Sequence, residues 1–161
     1  MGKKYFLLII FYVLLDQLTK FLVIKNIAYN SFVKINDFFS IVHVSNSGVA
    51  FSMFQGRNIF FTILTAFVVA VIIYFIKKHK DEFSALQFHS LLLIIAGGIG
   101  NLTDRVFRGA VVDFIDIGFK DVYRWPSFNV ADSCVCIGVT LFLFSILFNG
   151  SKCVDCQCGK K

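Results

Sequence analysis

Four carboxylates in this sequence stand where charge is expensive. Asp16 interrupts one apolar run, Asp104 follows the glycine-rich end of another, Asp113 lies in the segment VVDFIDI, and Asp132 opens a further apolar stretch. A lone charge inside a bilayer costs several kcal/mol, so each such residue requires a partner or a function. Two carboxylates a few ångströms apart cannot both ionise easily. They share one proton, and the ionised member can deprotonate a water while the protonated one polarises a carbonyl. That is the chemistry of an aspartic protease. The same groups could instead relay protons or bind a cation in a small transporter, or pin a structural bundle with no activity. Spacing does not choose the reacting pair, because Asp104 lies closer to the glycine run and Asp116 is within a turn of Asp113.

Other chemistries lack their residues. His79 and His89 lie around the start of the third apolar run and His43 stands alone in the first long loop. Neither a serine or cysteine nucleophile with a histidine base nor a histidine–carboxylate metal site is supported. Cys134 and Cys136 fall in the last apolar run, and Cys153, Cys156 and Cys158 in the C-terminal segment, so neither long loop has a cysteine to bridge. The CxxCxC of that segment could bind a metal or carry acyl chains, but three thiolates are one short of a closed structural zinc site, and residues 150–161 read as a solvated, dispensable tail.

The remaining polar residues have structural readings of their own. Asp16 and Lys20 are one helical turn apart and can pair, on a face directed at a polar cavity. Gly97, Gly98 and Gly100 permit close approach of a neighbouring helix or a substrate backbone. Packing would account for these glycines but not for Asn101, Asp104 and Arg105, which follow at once and resemble a polar network. Asn129 suits an N-cap and Asp132 would then fall in the first turn, where the helix dipole favours a negative charge. Capping alone is thus a competing explanation for Asp132.

Composition sets the elements that must position these groups. The 161 residues are 57% hydrophobic and only 16% charged, with one proline and a mean hydropathy of +0.76. A soluble chain carries roughly 25% charged residues. Too little polar surface excludes a disordered segment, a nucleic-acid-binding domain and an ordinary cytosolic enzyme, and leaves an integral membrane protein. Residues 5–24, 59–76, 86–103 and 130–148 are long enough to span a hydrocarbon core, which takes about 20 residues of helix. The first span is preceded by Lys3 and Lys4, yet no small-residue cleavage site follows, so it reads as a retained helix. Phe6 stands where a myristoylation signal would need Ser or Thr. Eight of the 16 Lys and Arg are concentrated at both termini and in the short loop between spans two and three. That density places both termini in the cytoplasm and the two long loops, residues 25–58 and 104–129, on the opposite face. In the first of these, Ile41, Val42 and Val44 could form short strands, and Phe38, Phe39, Phe51 and Phe54 suit an interfacial element, the alternative being a packed loop cap with no function.

Five blocks carry a family resemblance: DQLTK at 16–20, NSGVAF at 46–51, GNLTDR at 100–105, GAVVDF at 109–114 and FNVAD at 128–132. In order, they resemble the sequence blocks of bacterial lipoprotein signal peptidase, the signal peptidase II family (peptidase family A8). The resemblance implies a four-helix transmembrane bundle with a small extracytoplasmic β-cradle and a short interfacial helix, in one domain over residues 1–149. It also implies an aspartic endopeptidase of the bacterial inner membrane that cleaves diacylglyceryl prolipoproteins before the lipidated cysteine. In that family the catalytic pair corresponds to Asp113 and Asp132. Residues matching Asp16, Lys20, Asn46, Gly48, Asn101, Asp104, Arg105, Asn129 and Ala131 support the site or contact the lipopeptide. Asp104 is expected to act with Arg105, and Asp116 to be a solvated or interfacial charge. The expected partners are prolipoproteins, membrane lipid and globomycin-type inhibitors, with no metal or cofactor, no nucleic acid and a monomeric state. The Cys-rich tail is not part of the shared pattern, and the GxGD signature of presenilin-type proteases is absent, since Gly98 and Gly100 lead to Asn101.

Overall fold

The computed structural model describes residues 3–48, 56–119 and 123–149. Four helices, α1 (Lys3–Asn26), α2 (Asn58–Lys78), α3 (Ala85–Phe107) and α4 (Val130–Asn149), are each long and apolar enough to cross a membrane. Helix α3 runs to Phe107 rather than ending with the apolar run at residue 103. Hydropathy marks only the lipid-compatible part, whereas intrahelical backbone bonds continue wherever polar side chains find partners. The start of α3 is fixed by a capping box in which the Ser84 side chain accepts from Gln87 N and the Gln87 side chain accepts from Ser84 N. Its end turns through Gly109, whose φ of +77° suits glycine at a helix exit.

Helix α3 is the centre of the bundle. Over its most apolar 18 residues 56% are buried, against 22%, 17% and 22% in α1, α2 and α4. Its glycines meet three different neighbours. A Cβ on Gly97 would fall 2.3 Å from the Ala131 carbonyl oxygen of α4, one on Gly98 2.6 Å from Val69 Cγ2 of α2, and one on Gly100 2.8 Å from Asp16 Oδ2 of α1. With little hydrophobic drive between helices in lipid, such close backbone approach supplies the packing.

The two long loops are joined rather than separate. Strands β1 (Phe32–Lys34), β2 (Phe39–Asn46), β3 (Val111–Phe119) and β4 (Tyr123–Arg124) form one antiparallel sheet in that order. Strand β2 covers the run around Ile41–Val44. Strand β3, which local sequence left as an apolar loop with two carboxylates, is rich in β-branched and aromatic residues. Its partner strand comes from the first long loop, with Val44 opposite Asp113 and Ser40 opposite Asp116. This sheet is the expected cradle. The expected short interfacial helix has no counterpart among the described residues of the first loop; residues 49–55, with Phe51 and Phe54, and the tail cysteines lie outside them.

Apolar and polar cores occupy opposite ends of the bundle. Ile9, Val69, Ile76, Phe88, Leu92 and Ile95 pack at the end away from the sheet. Asp16, Lys20, Asn101, Asp104 and Asn129 are buried at the sheet end. Replacing Gly97 by Ala should cost about 1–3 kcal/mol by forcing α3 and α4 apart, read as a lower Tm in detergent. An unchanged Tm would refute the close α3–α4 crossing.

Candidate active site

The polar end is built on one buried cation. Lys20 is 0% exposed, and its Nζ lies 2.8 Å from Asp16 Oδ2, 2.8 Å from Asp104 Oδ2 and 3.2 Å from Asn101 Oδ1. All three ammonium protons therefore have acceptors. The carboxylates have further donors. Ala131 N donates to Asp16 Oδ1 at 2.9 Å, and Val112 N to Asp104 Oδ2 at 3.1 Å. Gln17 Nε2 donates to Asp104 Oδ1 at 3.1 Å, an oxygen that Arg108 also reaches. One network thus ties α1, α3, α4 and the start of β3.

The Asp16–Lys20 pair forms as its spacing predicts. The expected Asp104–Arg105 partnership is corrected: Asp104 pairs with Lys20 and Arg108, while Arg105 Nη2 donates to Gly48 O at 3.1 Å. Helix geometry gives the reason, since Arg108 at i+4 shares a face with Asp104 whereas the adjacent Arg105 points about 100° away. The i, i+4 rule that found Asp16 with Lys20 could have found Arg108. Gln17 stands inside the DQLTK block and was overlooked because it is uncharged.

Above this cluster lies a layer of amides. Asn101 turns its oxygen to Lys20 and its Nδ2 to Asp132 Oδ1 at 2.7 Å. Asn129 caps α4 reciprocally: its Oδ1 accepts from Asp132 N at 2.8 Å, and its own N donates to Asp132 Oδ2 at 3.2 Å. The same Asn129 donates Nδ2 to Asp113 Oδ1 at 2.8 Å. Asn46 Nδ2 donates to Asp113 Oδ2 at 3.1 Å, and Gly48 N fixes the Asn46 side chain by donating to Oδ1 at 3.0 Å. Asn129 is therefore bonded to both aspartates, and the capping reading of Asp132 holds together with its place beside Asp113.

Burial, then the charge of nearby Asp132, pushes the Asp113 carboxyl from its ordinary 3.8 up to about 7, against the opposing bonds from Asn46 and Asn129. Both aspartates line a mostly apolar cavity of about 570 Å³, whose walls include Asn101, Arg105, Trp125, Phe128 and Cys136. Asp116, expected as a solvated or interfacial charge, is corrected to a buried and paired one. It lies three residues along β3 from Asp113, hence on the opposite face, and accepts from Arg124 Nε at 2.7 Å. The site residues singled out by the sequence thus converge on the sheet end of the bundle. Among the described residues, no three His, Cys, Asp or Glu side chains are grouped as a metal ion would require.

Residues 8–148 match the family model described as signal peptidase (SPase) II, Peptidase_A8. The chain belongs to the signal peptidase II family. It is similar to the lipoprotein signal peptidase of Bacillus pumilus, at 41% identity over 92% of this chain and 95% of that protein. The lipoprotein signal peptidase of Borrelia hermsii is 40% identical over 96% and 94% of the two chains. A solved bacterial membrane enzyme, determined by the in meso method, superposes with a TM-score of 0.83 at 32% identity, covering 92% of this chain and 90% of its own. The signal peptidase II family is one of aspartic peptidases and its fold is a multi-pass membrane bundle, so the four helices and the small sheet are those of a membrane enzyme.

The buried cation and the cavity can each be tested directly. Lys20→Met leaves Asp16 and Asp104 facing each other without their common cation and should cost about 3–5 kcal/mol, read as loss of folded protein or a large fall in Tm in detergent. Wild-type stability would show that the cluster is not the structural anchor. Cys136 is exposed in the cavity wall, so a bulky maleimide should block cleavage by the wild type and spare Cys136→Ala. Wild type labelled at Cys136 that still cleaves would place the substrate path elsewhere.

Proposed function

We propose that Asp113 and Asp132 are the catalytic dyad of this signal peptidase, cleaving diacylglyceryl prolipoproteins just before the lipidated cysteine. Removal of signal peptides from prolipoproteins is the role of the family. One observation carries the choice of residues. Among the described buried acids, Asp16 and Asp104 are paired with Lys20 and Arg108, and Asp116 with Arg124. Asp113 and Asp132 are held by uncharged amide and backbone donors and face the cavity. Amide donors orient a carboxylate without fixing its charge, which is what a group that gains and loses a proton needs.

In the mechanism the pair holds one proton between its two carboxyls near neutral pH. Asp113, with its raised affinity for a proton, is the acid. Asp132 is the base, in the first turn of α4 where the helix dipole and the Asn101 amide stabilise negative charge. The substrate carbonyl lies between them. Asp132 takes a proton from water as the oxygen attacks the carbonyl carbon, while Asp113 donates its proton to the carbonyl oxygen. The tetrahedral diol then collapses: the C–N bond breaks, Asp132 passes its proton to the leaving amine, and Asp113 recovers one from the diol hydroxyl. The atoms balance with no cofactor.

Lipid chemistry governs how the substrate arrives. The signal helix enters sideways between spans, and the diacylglyceryl chains stay in the bilayer. Globomycin-type cyclic peptides occupy the same cavity. The enzyme acts as a monomer in the bacterial inner membrane, with basic segments and both termini in the cytoplasm and the sheet outside. Exposed Phe6, Phe11, Ile63, Phe67 and Leu147 on the helices agree with direct lipid contact.

Asp113→Asn and Asp132→Asn should each lower cleavage of a lipidated precursor by about 10³-fold or more with Tm little changed. Near wild-type rates in either variant would reject the dyad. A small transporter using the same acids predicts charge movement in proteoliposomes and no peptide product. For pH, loss of the Asp113 proton removes the acid, so kcat/KM should fall as pH rises through about 7. Because the folded state binds this proton more tightly than the unfolded one, Asp113 favours folding fully below 3.8 and progressively less up to about 7. Relative to Asp113→Asn, the wild type should therefore lose stability across that window. Parallel stability curves would contradict the assigned proton.

A further inference from the structure

A cluster that the proposed chemistry does not use lies on the sheet just before the chain enters the cavity wall. Ser40, Asp116 and Arg124 lie on β2, β3 and β4 and are tied across the sheet. Ser40 and Asp116 are register partners, both buried. Arg124 Nε donates to Asp116 Oδ2 at 2.7 Å, and its Nη2 donates to Ser40 Oγ at 3.1 Å. The stem of the Arg124 side chain packs over its register partner Gly118, where a Cβ would stand 2.8 Å from Arg124 Cγ and 2.5 Å from Tyr123 O. The glycine is thus a condition for the ion pair. A planar fork that engages a carboxylate and a hydroxyl on two different strands fixes orientation as well as distance.

Immediately after Arg124 the chain becomes the wall itself. Trp125 N donates to Ile117 O at 2.7 Å, and Phe128 N donates to Ile115 O at 3.0 Å, so the segment is fastened to β3 at both ends. Between these anchors, Pro126 and Ser127 line the cavity, and proline has no N–H with which to pair. The chain then enters Asn129, which bonds both Asp113 and Asp132. The wall is therefore fixed at its far end by the amide that positions the dyad and at its near end by Arg124.

We infer that the Ser40–Asp116–Arg124 cluster is a positioning clamp that sets the 125–128 wall against the bound peptide, controlling substrate affinity and leaving the proton chemistry to the other face of β3. The inference rests on the peptidase reading and on the opposite facing of Asp113 and Asp116. A clamp of this kind acts on bound substrate and transition state alike, so its loss raises KM without lowering kcat. Its two charged members act as one unit and their effects do not add.

The test is steady-state cleavage of a diacylglyceryl-modified precursor peptide by purified full-length enzyme. Asp116→Asn and Arg124→Gln should each raise KM about tenfold with kcat within about twofold of wild type. The double variant should be no worse than either single one, and the pH profile should keep its limb near 7. Arg124→Lys, which keeps the charge but loses the fork, should fall between wild type and Arg124→Gln. Wild-type KM in Asp116→Asn and Arg124→Gln overturns the inference, as does a parallel loss of kcat with a displaced pH limb. If those variants do not accumulate, Ser40→Ala and Arg124→Lys decide, since both keep the ion pair; wild-type KM in both counts against the clamp. Cleavage by the wild type, abolished in Asp113→Asn, keeps the peptidase reading standing if the clamp fails.

Discussion

Lys20 is sealed from solvent. Its ammonium is surrounded by Asp16, Asp104 and the Asn101 oxygen, and each of these is bonded onward to a different element. Asp16 takes the Ala131 N–H of α4, Asp104 takes the Val112 N–H of β3, and Asn101 reaches Asp132. Burying an ion pair gains little net stability over an apolar core, but it is intolerant of displacement, because any partner that moves leaves a charge unpaired. That intolerance is useful here. In lipid, apolar helix surfaces slide past one another at small cost, whereas a cation with three fixed acceptors admits one arrangement of α1, α3, α4 and β3. Gly97 and Gly100 serve the same end by removing the side chains that would hold α4 and Asp16 away.

Asn129 joins that rigid base to the two aspartates of the proposed dyad. A helix N-terminus and a β-strand have no intrinsic register with each other, so a carboxylate on each would ordinarily sit at an arbitrary separation. Asn129 removes that freedom by capping α4 with its oxygen and backbone N–H while its amide nitrogen holds Asp113. The capping box, usually a device for starting a helix, here has as its acidic member the residue proposed as the base. Aspartate at that position satisfies the local rule and the chemical requirement together, and the helix folds without conflict between them.

Local interactions were legible in the sequence and distant ones were hidden. Four spans could be read from hydropathy, the Asp16–Lys20 pair from i, i+4 spacing, and the Asn129 cap from residue type beside an apolar run. Strand β3 was not legible, because its partner comes from a distant loop and strand pairing leaves no periodic mark on so short a segment. Asp116 was misread for the same reason: without the sheet, its partner Arg124 and the face that separates it from Asp113 are both invisible. The choice of Asp113 and Asp132 among the costly aspartates came from resemblance, not from spacing. The three-dimensional arrangement adds an independent physical criterion, the kind of partner each acid has.

That criterion also accounts for the charge balance of the buried end. Asp16 and Asp104 are matched by Lys20 and Arg108, and Asp116 by Arg124. The proposed dyad, sharing one proton, carries one further negative charge, and Arg105 lines the same cavity as both aspartates. Arg105 makes its hydrogen bond to Gly48 O, not to either aspartate, and its Nε has no partner among the described residues. A direct salt bridge would have fixed one aspartate in its ionised form and ended the sharing of the proton. Holding the cation nearby but bonded elsewhere leaves both carboxyls of the proposed dyad able to change protonation state, so that Asp113 can begin as the acid and Asp132 as the base and each can reverse its role later in the same turnover.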